Sequence, residues 1–402
     1  MSRDIAILFS TRVIRLFCYG FLSVVLALYL AEAGLTEAQI GLLFTLTLLG
    51  DALISLWLTT SADQLGRKHT LILGALLMLG AGIAFVLTRN VTLLIIAAIL
   101  GVISPSGNEI GPFLSVEQAG LTQLIPNKRR TQIFAWYNLV GSFATATGAL
   151  SGGWLAQGLQ NYEWTALEAY RLVLVGYALG GFLLLLLFLN LSRGVEAEAT
   201  ANTTRRVFGL HRSRAVVFKL SSLFAMDAFA GGLLVQGLMA YWFHVRFGVE
   251  SGVLGSIFFG ANILAGISAL LAVRLADKFG LINTMVFTHI PSNILLILVP
   301  LMPTLPLAIG VLLLRFSISQ MDVPTRQSYT MAVVAPDERS AASGITAIAR
   351  SIGASISPGL TGLLFSIPVL FNLPFFLSGG LKIIYDLLLY REFRAVKPPE
   401  ET

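Results

Sequence analysis

Residues 34–68 read GLTEAQIGLLFTLTLLGDALISLWLTTSADQLGRK, and residues 248–282 read GVESGVLGSIFFGANILAGISALLAVRLADKFGLI. Gly34, Gly41, Asp63 and Gly66 of the first stretch fall on Gly248, Gly255, Asp277 and Gly280 of the second, all 214 positions apart. A common offset over four positions argues for duplication. Each stretch holds an apolar run long enough to cross a bilayer, closed by a polar loop with an Asp and a Gly, which is the pattern of a membrane-spanning helix rather than of a soluble core.

Working outward, such runs recur along nearly the whole chain. The 402 residues are 56% hydrophobic and only 12% charged, about half the charged share of an ordinary soluble domain. Cutting at polar and Gly/Pro punctuation gives spans near 5–31, 37–60, 70–88, 91–118, 131–157 and 170–191, then 215–245, 252–275, 281–300, 304–332, 341–366 and 370–390. The longest polar stretch, about 192–213, reads as a linker. The repeat continues beyond the opening stretches: Pro126-Asn127-Lys128-Arg129 lines up with Pro336-Asp337-Glu338-Arg339, and Gly152 with Gly362, now 210 positions apart. The expected protein is all-α and membrane-embedded, with twelve transmembrane helices in two six-helix bundles at 1–191 and 214–402, joined by a cytoplasmic linker at 192–213.

Charge sets the orientation. With the N-terminus inside, cytoplasmic segments collect Arg67, Lys68, Lys128, Arg129, Arg130, Arg193, Arg205, Arg206, Arg212, Arg214, Lys278, Arg339, Arg391, Arg394 and Lys397, against Arg89, Arg171 and Arg246 opposite. This asymmetry follows the positive-inside rule, places both termini in the cytoplasm, and accounts for the net charge of +6 without nucleic acid. The first apolar run carries Arg12 and Arg15 and lacks a small-residue cleavage site, so it reads as a retained span. The single cysteine, Cys18, excludes an internal disulfide and a multi-cysteine metal site and reads as a packing residue. No nucleophile elbow, metal-ligand cluster or phosphate loop points to an enzyme, and no cofactor is implied.

The loop Asp63-Gln64-Leu65-Gly66-Arg67-Lys68 resembles the loop signature of the major facilitator superfamily, although Thr59 stands in place of the preceding glycine. In the second copy Leu281 and Ile282 replace the basic pair. Gly148-Ala149-Leu150-Ser151-Gly152-Gly153 is similar to that family's glycine-rich antiporter motif, with Ala149 where proline is usual. Span 4 lacks the arginine of many proton-coupled drug exporters and carries Glu109 and Glu117 instead. The resemblance implies the major facilitator fold, a monomer in the cell (inner) membrane, and spans 1, 4, 7 and 10 around a central cavity. It further implies that Asp63, with Gly66 and Arg67, forms a cytoplasmic gate against the N-terminal end of span 11.

An ionisable group facing lipid is costly, so each one inside a span is a functional candidate. In span 10, Arg315, Asp322 and Arg326 have spacings that stack them on one face of a continuous helix. In span 4, Pro105, Gly107 and Pro112 surround Asn108 and Glu109 and should distort the helix, with Glu117 two turns on. Arg15 can pair with Glu117; for Arg12, snorkelling to the headgroups is favoured. Asp227 in span 7 has no partner on its own helix. Lys382 and Asp386 have salt-bridge spacing and should satisfy each other, and no histidine falls in a cavity-facing segment. Asp51 and Arg350 sit at similar depths in spans 2 and 11, which predicts an ion pair between the halves in the outward-open state.

Two similar halves can rock about a site between them. The sequence therefore predicts a secondary transporter moving a small organic solute by alternating access, coupled to protons through Glu109, Asp227 or Asp322, with export favoured over uptake. Its partners are the solute, protons and the lipid bilayer. The alternatives are an uncoupled facilitator, an uptake carrier, and a receptor or scaffold that has lost transport.

Overall fold

Hydrocarbon offers the backbone no hydrogen-bond partner, so each apolar run must close its bonds within itself as helix. The structure, a computed structural model, describes residues 3–109, 111–126, 130–196, 211–335 and 338–394; within helices the side chains of residues 60, 63, 64, 130, 131, 132, 135 and 340 are also outside the description. Among the described residues every regular element is helical. In the first half these are α1 (Arg3–Ser23), α2 (Leu26–Glu32), α3 (Glu37–Leu65), α4 (Arg67–Leu87), α5 (Val91–Leu100), α6 (Phe113–Leu124), α7 (Arg130–Asn161) and α8 (Ala166–Leu189). The second half has α9 (Arg214–Gly232), α10 (Gln236–Phe247), α11 (Ser251–Phe279), α12 (Leu281–Leu298), α13 (Leu305–Phe316), α14 (Asp322–Ala332), α15 (Arg339–Phe365) and α16 (Leu373–Phe393).

These helices account for the twelve expected spans, four of which are broken. Span 1 is α1 and α2, span 4 is α5 and α6, span 7 is α9 and α10, and span 10 is α13 and α14. The span-4 break, residues 101–112, follows from Pro105, Gly107 and Pro112 as expected. The other three lack that proline signal. They fall at Val24-Val25, after Gly231-Gly232, and at Ser317-Ile318-Ser319, where β-branched, glycine or serine residues weaken the helix. Freed backbone groups are recaptured locally: Gly237 N–H donates to Pro105 O at 3.0 Å, Thr361 Oγ1 to Leu233 O at 2.7 Å, and Gln320 N–H to Ser268 Oγ at 3.2 Å. Tyr177 Oη donates to Val102 O.

The duplication is visible in packing. α1 lies along α7 and α4 along α8; their counterparts α9 and α15, and α12 and α16, pair in the same way. The chain forms two compact units, Met1–Thr203 with Val235–Phe259, and Thr204–Leu234 with Gly260–Thr402. This differs from the boundary expected at the linker, because α10 and the start of α11 pack with the first unit. Gln236 Nε2 donates to Ser23 Oγ at 2.8 Å, Tyr241 Oη to Glu37 at 2.9 Å, and Trp154 Nε1 to Ser256 Oγ at 2.9 Å.

Both α1–α7 and α9–α15 meet backbone to backbone. A Cβ at Gly148 would overlap the Phe17 carbonyl, and one at Gly353 the Ala225 carbonyl. These glycines thus serve close packing. Gly148→Ala should destabilise the protein by about 1–3 kcal/mol, the usual cost of overpacking, whereas Gly80→Ala, which meets open space, should be neutral or mildly stabilising. Denaturation midpoints of the two variants in detergent check this.

Two carboxylates fasten the ends of the linker. Glu196 accepts from the N–H groups of Arg67 at 2.6 Å and Lys68 at 3.2 Å, capping α4 after the left-handed Gly66 (φ 92°). Glu338 accepts from the N–H groups of His211, Arg212 and Ser213, the last two at 2.8 Å, docking the chain before α9 against the start of α15. Its side chain is covered by these neighbours. The His211 N–H, with those of Arg212 and Ser213, holds this carboxyl down at about 2, from an ordinary 4.5. A depressed folded-state value means that the clamp stabilises above 4.5 and is lost as pH falls towards 2. Glu338→Gln should therefore lower the melting temperature at neutral pH, and the difference from wild type should shrink as pH is lowered through that window.

Candidate functional site

The broken spans carry two clusters of buried charge, one in each unit. In the first, α1 projects Thr11, Arg12 and Arg15 towards the span-4 break and α6. Arg15, wholly buried, forks onto Glu117 through NH1 at 2.8 Å and NH2 at 2.7 Å and places Nε 2.8 Å from Glu109 Oε1. Arg12 NH1 lies 2.5 Å from Glu109 Oε2, and its remaining nitrogens donate to Tyr137 O at 3.0 Å and Asn138 Oδ1 at 3.3 Å. Glu117 also accepts from Thr11 Oγ1 at 2.9 Å and from Tyr137 Oη. Two guanidiniums meet two carboxylates, so the cluster is neutral in sum. Arg12 is 6% exposed; it is a buried ion-pair partner rather than the snorkelling residue expected. Asn108 is exposed and contributes through its backbone, accepting from Ser104 Oγ at 2.8 Å.

In the second unit the centre is Asp227, on α9. Lys382 Nζ lies 2.6 Å from its Oδ1, and Arg326 NH1 and Arg350 NH1 lie 2.9 and 3.3 Å from its Oδ2. Arg326 NH1 also bonds Asp322 at 2.9 Å. Asp227, which has no partner on its own helix, takes its partners from α14, α15 and α16. Arg315 does not stack on one face with Asp322 and Arg326 as expected, because the break at 317–321 separates α13 from α14. It forms no ion pair among the described residues, and its buried Nε has no partner. Lys382 and Asp386 do not satisfy each other either. Asp386 accepts from Asn293 Nδ2 at 3.2 Å and meets His289 Nδ1 at 2.9 Å, so a histidine absent from the expected set lies within the second unit's polar interior.

Among the gating residues, Asp51 accepts from Gly111 N–H at 2.7 Å and Ser55 Oγ at 3.2 Å, and Arg350 bonds Asp227; each has its partner within its own unit. Asp51 forms no ion pair among the described residues. Arg67 NH1 donates to Val195 O at 3.3 Å, and Lys68 Nζ to the carbonyls of Leu189 and Leu191, each at 2.8 Å. The side chain of Asp63 lies outside the described residues, as do the loop positions Asn127, Lys128, Arg129, Arg205, Arg206, Pro336, Asp337 and Lys397. Nothing in the sequence marked Lys382, His289 or Tyr137 as members of these clusters.

A family model described as the Major Facilitator Superfamily matches residues 8–358 and 247–402, and the chain belongs to that superfamily. An uncharacterized membrane protein of Saccharomyces cerevisiae is 33% identical over 98% of this chain and 95% of its own length. The quinolone resistance protein NorA of Staphylococcus aureus is 24% identical over 157 residues, 39% of each chain. Among solved structures, a bacterial homologue of the human lysosomal transporter Spinster superposes with a TM-score of 0.75 at 17% identity over 97% of both chains. The nucleoside transporter NupG gives 0.76 at 13% identity over 98% of this chain and all of the other. The protein is thus a secondary transporter of the bilayer, with the major facilitator fold.

Arg15 is the counter-ion of the wholly buried Glu117 and shares Glu109 with Arg12. Arg15→Met should cost about 3–5 kcal/mol, the range for breaking a buried pair. Adding Glu117→Gln to that variant should recover part of the loss, as read by denaturation in detergent.

Proposed function

We propose that this chain carries a small organic solute by alternating access, coupled to protons and in the export direction, in the cell membrane with both termini cytoplasmic. The observation that carries this reading is that spans 1, 4, 7 and 10, two equivalent pairs in the duplicated chain, are broken and bear Arg12, Arg15, Glu109, Glu117, Asp227, Arg315, Asp322 and Arg326. Broken helices place backbone groups and ionisable side chains at membrane depth, where they serve solutes and coupling ions. The partial likeness to a quinolone resistance protein supports export.

Coupling requires a carboxylate whose charge a proton can remove at little cost. Glu109, one of the three carboxylates expected from the sequence, is already held in ion pairs by Arg12 and Arg15. Asp51, in the electrostatic field of Glu109, is balanced only by a backbone N–H and a hydroxyl, so a proton is the counter-charge open to it. We assign the coupling proton to Asp51, with Glu109 and its arginines as the neighbouring charge that its release must work against. In proteoliposomes, an imposed pH gradient should accelerate solute flux. Asp51→Asn should abolish that acceleration while leaving solute exchange intact. Glu109→Gln should instead lower thermal stability by disturbing the arginine cluster. Full acceleration in Asp51→Asn with its loss in Glu109→Gln would return the proton to Glu109; no pH effect at all would make the protein a facilitator, and no flux a receptor.

A further inference from the structure

The charges inside the second unit do not balance. Arg315, Arg326, Arg350 and Lys382 bring four positive charges, and the two carboxylates they bind or face, Asp227 and Asp322, bring two negative ones. Asp386 is occupied by His289 and Asn293, and counting it still leaves a cation in excess. The first unit's cluster, by contrast, matches Arg12 and Arg15 with Glu109 and Glu117. An uncompensated charge in a membrane interior is costly, so an excess of one sign selects for a partner of the other.

The excess is not spread evenly. Arg326 and Lys382 are buried and directed at carboxylates. Arg350 is held by one contact of 3.3 Å, and 36% of its side chain is exposed. Arg315 makes no ion pair among the described residues, and both it and Arg350 stand in the field of Asp322. Tyr385, 1% exposed, places its hydroxyl beside Arg326 and in the field of Asp227 and Asp322, with its own proton given to no protein acceptor. A guanidinium presents five donors in a fixed fork that matches the paired oxygens of a carboxylate or phosphate.

We propose that the solute is a small organic anion, bound through its carboxylate or phosphate oxygens by Arg350 and Arg315, with the Tyr385 hydroxyl as a further donor. This rests on the transporter reading above and specifies its substrate class. Asp227, shared by three cations, then serves as the internal anion that holds the site together before the solute arrives, and the solute supplies the charge that the cluster lacks. If the cluster were only a structural ion-pair network, Arg350 would be a member like the others, and removing it would weaken the fold.

The test is thermal denaturation of the purified full chain in a neutral detergent, with succinate and glycerol 3-phosphate as anionic probes and glucose as the uncharged one, at matched ionic strength. At least one anion should raise the wild-type melting temperature by about 2–4 °C or more, and glucose should not. Arg350→Gln and Arg315→Gln should both lose that shift. Without anion, Arg315→Gln, which breaks no ion pair, should melt no lower than wild type. An unmoved wild type, equal shifts in the variants, or a glucose shift as large as the anion's would overturn the proposal. Phosphatidylglycerol against phosphatidylcholine in the same measurement separates a lipid phosphate from a soluble anion; a shift with phosphatidylglycerol alone also overturns it. The readout is binding rather than flux. An anion shift without flux would keep the site and remove the transport reading, and flux of a neutral solute without an anion shift would do the reverse.

Discussion

A guanidinium placed in hydrocarbon needs an anion beside it, and this one requirement organises the interior of both units. Water would otherwise solvate Arg12, Arg15 and Arg326, and their long side chains would be free to choose partners. In the bilayer the choice is forced. α1 packs where Arg15 can fork onto Glu117, and the span-4 segment is held where Glu109 reaches both arginines. In the second unit the same requirement draws α9, α14, α15 and α16 around Asp227. The backbone obeys the parallel rule: where a span breaks, a serine, a threonine, a tyrosine or another segment's amide takes up the exposed group.

The architecture was legible because it depends on features with a fixed period. Apolar runs of bilayer length, a common offset between the halves, and the Asp63-to-Lys68 loop are local patterns, and they carry the span count and the superfamily. The Pro105, Gly107 and Pro112 break was legible for the same reason. The breaks in spans 1, 7 and 10 were not, because Val24-Val25, Gly231-Gly232 and Ser317-Ile318-Ser319 weaken a helix without forbidding it, and tertiary partners decide the outcome.

Partnerships in the site were harder to read, and the errors share one cause. Helical spacing states which residues are able to meet on one helix, whereas buried charges choose partners across helices. Lys382 and Asp386 have ideal spacing, yet Lys382 reaches Asp227 from another helix and Asp386 takes His289. Arg315 and Asp322 fail to pair because the helix joining them is interrupted. Arg12, two turns from the end of its helix, is held inward by the Tyr137 carbonyl, Asn138 and Glu109, none of which is near it in sequence. The Arg15–Glu117 pair, between helices, and the Asp322–Arg326 pair, along α14, are expected contacts that the structure contains.

The glycine seams at Gly148 and Gly353 have a mechanical corollary. Helices separated by side chains are able to slide as those side chains change rotamer, but a helix resting on its neighbour's carbonyls has no such layer to rearrange. α1 with α7, and α9 with α15, are therefore stiff two-helix struts. Spectroscopic labels on either member of a strut report the same displacement, so four helices supply only two independent coordinates for following motion.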